Sequence, residues 1–375
     1  MTMKGPQDVP TTTPFDINRM TSSRLPTKVV YGPADLAEIG FDAERDLGTP
    51  ARFPFTRGRK EHGYGDGLWD MATYAGISSP TETNARFRYI VANTHSARNT
   101  LAMALDLPSQ IGLDPDHPMS RGEIGRSGVS VTSLHDVEAI YDGIPLDRVR
   151  LATVANGMGN VAAAWFIGLG LKRGVPMTDV VGNLQNDPLK EFTGRGTYIY
   201  PAADHVRLAL DVVEHCVEHL PHWKPMSVCG SQLRWGGATA IEEVGFAIAH
   251  TEGYLDGLVD RGVNVLDALP RLEFHMVADN DVLEEVAKFR ALRRVWAERT
   301  ARRYGLAPEQ VSVPSVQIYT AGYTLTAQDP INNVVRIAMQ VMASVMGGVD
   351  YVATSSYDEA ISTPTMQALR VALHT

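Results

Sequence analysis

Glu273 and His275, two residues apart in one short apolar run, are of types that could do acid–base chemistry. Side chains along a strand alternate between its faces, so both would point the same way. A carboxylate that orients an imidazole makes a general base. A structural polar pair filling an interior is the other reading of the same two residues. His215, Glu218 and His219 spell H-x-x-E-H, the ligand-and-base spacing of a class of zinc proteases. Their helix carries Val212, Cys216 and Leu220 as its inward stripe, which leaves the histidines on a solvated flank. No metal site is therefore expected. Residues 156–162 read G-x-G-x-x-A, either a dinucleotide cradle or a strand-to-helix turn whose glycines permit close packing. Its third place among the strand–helix units favours the turn. Asp114-Pro115-Asp116-His117-Pro118 has the composition of a Pro-bounded turn. Asp279, Asp281, Glu284 and Glu285 suit a helix N-terminus. The later Arg290, Arg293, Arg294, Arg299, Arg302 and Arg303 read as its solvated face.

These residues need a frame to hold them. After residue 81, short β-rich runs alternate with amphipathic stretches. Strands are predicted over 101–106, 128–131, 149–155, 180–185, 226–229, 272–277, 313–319 and 351–354. Helices are predicted over 204–219, 240–256, 281–303, 333–346 and 358–374. Eight strand–helix units of this kind argue for an α/β fold, a (β/α)8 TIM barrel, with a doubly wound sheet as the alternative. The expected organisation is a flexible arm over 1–24, an irregular extension over 25–80 docked on barrel or partner, and the barrel over 81–375. Barrel chemistry sits at the C-terminal strand ends, here marked by Asp106, Asn156, Gln185, Gln232, His275, Tyr319 and Ser355.

Composition narrows the class. Of 375 residues, 34 are Lys or Arg and 43 are Asp or Glu, a formal charge of −9, with no basic run interleaved with aromatics. Nucleic-acid binding is not expected. Two cysteines make no disulfide framework. The N-terminus lacks an apolar leader core, and no apolar run is long enough to span a membrane. A cytoplasmic protein without a membrane partner is expected.

The segment 183–200, NLQNDPLKEFTGRGTYIY, resembles the signature of the cobalamin-dependent acyl-CoA mutases, the methylmalonyl-CoA mutase family. PFTRG at 54–58, YAG at 74–76, DGIPLD at 142–147, LTAQDPINNVV at 325–335 and DEA at 358–360 match in the same order. The resemblance runs collinearly over residues 26–366. It implies a barrel that encloses the pantetheine arm of an acyl-CoA, and a carbon-skeleton rearrangement started by an adenosylcobalamin-derived radical. It implies that Tyr64 lies over the acyl group and that Gln185 sits near the thioester. Arg195 would pair with a substrate carboxylate, hinting at a dicarboxylyl-CoA. Arg57 and Arg271 would contact CoA, Tyr319 would face the substrate, and Gly322 and Glu359 would line the cobalamin or adenosyl side. The family's strand-five histidine and glutamate are replaced here by Gln232 and Trp235. No Asp-x-His-x-x-Gly motif occurs. The resemblance thus implies a catalytic subunit with cobalamin on a separate cobalamin-binding subunit, in a homo- or hetero-oligomer. Two alternatives stand beside it. One is a repurposed barrel that binds an acyl-CoA or related ester and does non-radical chemistry through Glu273 and His275. The other is a noncatalytic subunit of a heteromeric mutase.

Overall fold

The computed structural model describes residues 20–94 and 99–375, so the arm expected over 1–24 lies outside the described residues as far as residue 19. The chain divides into two units, 1–41 and 42–375. In the first, Lys28 Nζ reaches Asp35 (2.6 Å) and Glu38 (3.0 Å), bracing the short helix Pro33–Glu38.

In the second unit nine parallel strands are formed among the described residues. They are β1 (Asp70–Tyr74), β2 (Asn99–Met103), β3 (Val149–Val154), β4 (Val181–Gln185), β5 (Trp223–Lys224), β6 (Met226–Cys229), β7 (Leu272–Ala278), β8 (Ser315–Thr320) and β9 (Tyr351–Ala353). Their order is β5-β4-β3-β2-β1-β9-β8-β7-β6. The two outermost strands of that order are separated in the chain by Pro225 alone. Proline has no N–H to give a ladder, which interrupts one stave and leaves two short pieces. β5 pairs with β4 and β6 with β7, so the ring closes as a TIM barrel of eight staves.

One predicted strand is displaced. Residues 128–131 form no strand; Val129 alone makes single bridges, to Ser78 and Leu105, beyond the end of β2. The missing stave is β1, within the stretch 25–80 where no strand was expected. Its sequence, Asp-Met-Ala-Thr-Tyr, lacks a β-branched run, and it is held by pairing on both sides, with β2 and β9. The last helix spans Met366–His374 and does not begin at 358. Asp358 is instead occupied by Ser356 Oγ (2.6 Å) and by Thr365 through N (3.1 Å) and Oγ1 (2.8 Å).

The apolar core lies between staves and outer helices in two clusters. One gathers Leu101, Leu151, Leu184 and Trp223 with Phe87, Tyr141 and Phe166; the other gathers Val228, Phe274, Met276 and Ile318 with Phe289 and Trp296. Pro225 falls at the division. The arginine-rich helix Val282–Tyr304 is not solvated throughout. Arg293 is buried, donating to Phe55 O (3.1 Å) and to Gly347 O (2.5 Å) and Gly348 O (3.2 Å). Burial pushes its pKa down to about 10. A buried cation reads as an exposed one when only its helix position is known.

Candidate active site

Two polar rungs cross the barrel lumen from β4 to β7. In the lower rung Asn183 Nδ2 donates to Glu273 Oε1 (2.5 Å). In the upper, Gln185 Nε2 lies 2.6 Å from His275 Nδ1. Glu273 also accepts from its register neighbours, Ser315 Oγ (2.9 Å) and Ser227 Oγ (3.4 Å), with Arg150 Nη1 3.9 Å away. Burial raises the Glu273 pKa, and Arg150 and Ser315 oppose that rise. The expectation that Glu273 and His275 share the inner face holds, but each is bonded to a different residue of β4 and neither orients the other. Two residues along a strand rise by about 6.6 Å, too far for these side chains to pair once β4 offers closer partners. The Glu–His base reading is therefore corrected.

His275 is neutral. Burial, followed by the nearby Lys190 charge, pushes its pKa down to about 3. An amide nitrogen can only donate, so Nδ1 accepts from Gln185 and the ring proton resides on Nε2. The ring edge meets Tyr319 at a centroid distance of 4.7 Å.

Above the upper rung a cavity of about 160 Å³ opens at the C-terminal strand ends, lined by Gln110, Gln185, Lys190, Arg195, Gln232 and His275. The segment after β4 supplies two of these. Asp187 caps the turn Pro188–Lys190, and a π-helical turn, Glu191–Arg195, follows and ends at Gly196 with φ +87°. Burial alone would raise the Asp187 pKa, but His250, the Tyr254 hydroxyl (2.5 Å) and the Cys229 N–H (2.8 Å) outweigh it and hold it low. Glu191 Oε1 stands between two cations, 3.0 Å from Lys190 Nζ and 3.6 Å from Arg195 Nη1. Gln232 comes from the short helix Ser231–Trp235, anchored where Arg234 meets Asp279 at 3.2 Å.

Trp235 and Tyr319 also line a second cavity of about 310 Å³ with Ser355, Ser356 and Glu359. Burial raises the Glu359 pKa. Gly322 adjoins it: a Cβ there would fall 2.3 Å from Glu359 Oε1, so only glycine lets that carboxyl approach.

The structure thus brings Gln185, Arg195, Gln232, His275 and Tyr319 together, with Gly322 and Glu359 beside them. It does not bring Tyr64, Arg57 or Arg271 there. Tyr64 donates to Val349 O (2.6 Å), just before β9 begins, and meets Trp69 edge-on. That anchors it at the N-terminal end of the barrel, away from the mouth cavity. Arg57 shares its groove with Tyr64. Arg271 stands just before β7 and donates to Leu220 O (3.3 Å) and Pro221 O.

His215, Glu218 and His219 are exposed while Val212, Cys216 and Leu220 are buried. Among the described residues no three His, Cys, Asp or Glu side chains gather as a metal cage. In the G-x-G-x-x-A turn, a Cβ on Gly159 would collide with Asn186 Oδ1 at 2.1 Å, which accounts for that glycine by packing. Sequence reasoning passed over Lys190 and Gln110. Lys190 stands inside the quoted signature, and Gln110 ends the short helix Leu107–Gln110 that follows β2, so position relative to a strand end was the available signal.

The sequence is similar to that of known proteins. The sequence model described as methylmalonyl-CoA mutase matches residues 20–375. The chain is 35% identical over 355 residues to the 2-hydroxyisobutanoyl-CoA mutase large subunit of Aquincola tertiaricarbonis, covering 95% of this chain and 62% of that protein. It is 34% identical over 357 residues to the methylmalonyl-CoA mutase of Rhizobium meliloti, covering 95% of this chain and 49% of that protein. The human mitochondrial methylmalonyl-CoA mutase is 33% identical over 362 residues, 96% of this chain and 47% of that protein. The chain therefore spans about half to three-fifths of the length of these relatives. No described helix is long and apolar enough to cross a membrane.

Proposed function

The chain belongs to the methylmalonyl-CoA mutase family, and on that premise we propose that it is the acyl-CoA-binding catalytic part of an adenosylcobalamin-dependent acyl-CoA mutase, with cobalamin carried by a separate subunit. The observation that carries this reading is the mouth cavity of about 160 Å³ with Gln185 and His275 on its lining. Beneath it Thr100, Ala102, Ala152 and Ser227 line a void of about 20 Å³. A pantetheine arm would pass there only once the Asn183–Glu273 and Gln185–His275 rungs part, and its thioester would then meet the amides and imidazole at the mouth. At the other end Arg57, Arg59 and Lys60 share one groove, and Lys224 lies inside the barrel with its pKa pushed down to about 8 by burial. That cationic end suits the phosphates of CoA.

The C-terminal face fits a large planar cofactor. Phe192, Tyr198, Trp235 and Tyr323, from segments that follow β4, β6 and β8, are exposed there, and Phe192 stacks on Tyr198 at 4.7 Å. Gly322 and Glu359 would hold the adenosyl side. Bound over this face, adenosylcobalamin supplies the adenosyl radical that begins a 1,2-rearrangement. The residues of this chain grip the thioester, keep water out and fix the acyl group in one orientation. The large-subunit name of one relative supports a partner chain. Arg195, at the acyl end, is the residue for any carboxylate on the substrate.

The test is calorimetric titration of the purified chain with adenosylcobalamin, with and without succinyl-CoA, in the presence of cobalamin-domain proteins from the same genome. Corrin binding that needs both a partner and an acyl-CoA is the expected result. Ester binding with no corrin binding under any condition overturns the radical reading.

A further inference from the structure

The outer helix Asn333–Gly347 has its polarity reversed. Its buried side carries polar residues. Gln340 accepts from Ala321 N (2.9 Å) and donates to Asn280 Oδ1 (2.7 Å) and Thr324 Oγ1 (2.9 Å). Asn333 donates to Thr326 O and Tyr357 O, both at 2.9 Å. The outer side is apolar. Ile331, just before the helix, and Val335, Met339, Met342 and Met346 are exposed by 40–66%, at spacings of four, four, three and four residues. They form one stripe about 22 Å long, and Arg336 is the helix's one charged residue. The neighbouring helix Val282–Tyr304 widens the stripe. Its Leu283 is exposed two turns before Arg290, whose Nη2 donates to Met346 O (3.3 Å). A solvated helix shows the opposite arrangement, so this face marks a surface that another molecule covers.

The stripe is its own complement. Met339 stands at its middle, Val335 and Met342 flank it about evenly, and Ile331 and Met346 close the two ends. Turned end for end, it sets Met339 against Met339, Val335 against Met342 and Ile331 against Met346, the condition for a two-fold isologous contact. The charges at its ends decide the direction. The Ile331 end carries the exposed Asp329, and the Met346 end carries Arg290. Antiparallel pairing places each carboxylate beside the other copy's guanidinium, whereas parallel pairing sets like charges together. We propose that this face joins two copies of the chain, antiparallel, about an axis at Met339. Methionine suits such a seam because its unbranched thioether adapts to a facing copy of itself. The inference does not depend on the acyl-CoA reading.

The experiment weighs the full chain by sedimentation equilibrium over a range of concentrations, where a dimer is expected. Met339→Lys puts two ammonium groups at the axis and should weaken that dimer by about thirtyfold or more, with the circular-dichroism melt of the fold unchanged. Asp329→Arg and Arg290→Asp should each weaken it by about tenfold, and the two changes in one chain should restore it. Cysteine variants read the direction, since Cys216 and Cys229 are buried. Under oxygen, Val335→Cys should form a disulfide with Met342→Cys in a mixture of the two but not with itself. The wild-type mass and the cysteine pair stand without Met339→Lys should that variant fail to fold. A wild type that stays monomeric overturns the proposal, whether or not it takes up a cobalamin-domain protein through this face. A dimer that Met339→Lys leaves intact lies elsewhere and overturns it too. Cross-linking of Val335→Cys with itself overturns the antiparallel direction.

Discussion

Gln185 Nε2 and His275 Nδ1 lie 2.6 Å apart across the lumen, and that contact decides which nitrogen of the imidazole faces outward as a donor. The histidine is positioned as a neutral hydrogen-bond group, with its pKa depressed to about 3 from an ordinary 6.5. Between those values the unfolded chain binds a proton that the folded chain does not. Its contribution to stability therefore rises with pH across that window and is lost as pH falls toward 3.

Urea midpoints measured between about pH 4 and pH 7 should rise less steeply with pH in His275→Gln than in the wild type. Identical slopes would show that the buried imidazole does not stay neutral.

Glu273 binds through shape and hydrogen bonding to Asn183 and Ser315. Glu273→Gln keeps an acceptor of the same size, whereas Glu273→Ala strands both partners. The alanine variant should be less stable than the glutamine variant by about 1–3 kcal/mol in denaturant titration. Comparable losses in the two would mean that the lower rung holds by charge.

The barrel was legible because its helices announce themselves at a 3.6-residue period and its staves fall between them. The one misplaced stave shows the limit. Residues 128–131, Gly-Val-Ser-Val, have strand composition but meet the barrel only at its rim, whereas β1 owes its form to β2 and β9 on either side. At the site, the shared face of Glu273 and His275 followed from strand alternation. Their partners did not, because Asn183 and Gln185 approach from across the lumen, ninety positions away in the chain. Lys190 and Gln110 reach the mouth from the short turns after β4 and β2, a convergence that no linear pattern records.

Lys288 Nζ lies 2.7 Å from Glu243 and 2.5 Å from Glu285, all three buried. Lys288→Met leaves Glu243 and Glu285 facing each other with only Arg234, 3.9 Å from Glu285, to counter them. It should cost about 3–5 kcal/mol by chemical denaturation. A loss below about 1 kcal/mol would show that the cluster contributes little.

Burial pushes Glu285 up to about 7, against Lys288, which pulls it down. A raised carboxyl adds stability below its ordinary pKa of 4.5 and loses it as pH climbs toward 7. Glu285→Gln should remove that decline, so its stability relative to the wild type rises from pH 5 to pH 8 by denaturant titration. A constant difference across that range would contradict it.

Arg195 shares Glu191 with Lys190, which leaves its guanidinium partly countered. Arg195→Gln should weaken succinyl-CoA binding by about tenfold and butanoyl-CoA by less than about twofold. Equal effects on both esters would remove the carboxylate-pairing role.

The break at Pro225 divides the apolar core into two clusters, and the two lumen rungs run from β4 on one side to β7 on the other. The barrel is therefore one continuous sheet with a single break at Pro225, bridged from inside by side chains of the two staves that flank it. A ligand seated on the upper rung would span that break, so the chemistry at the mouth and the seam in the wall are one mechanical element.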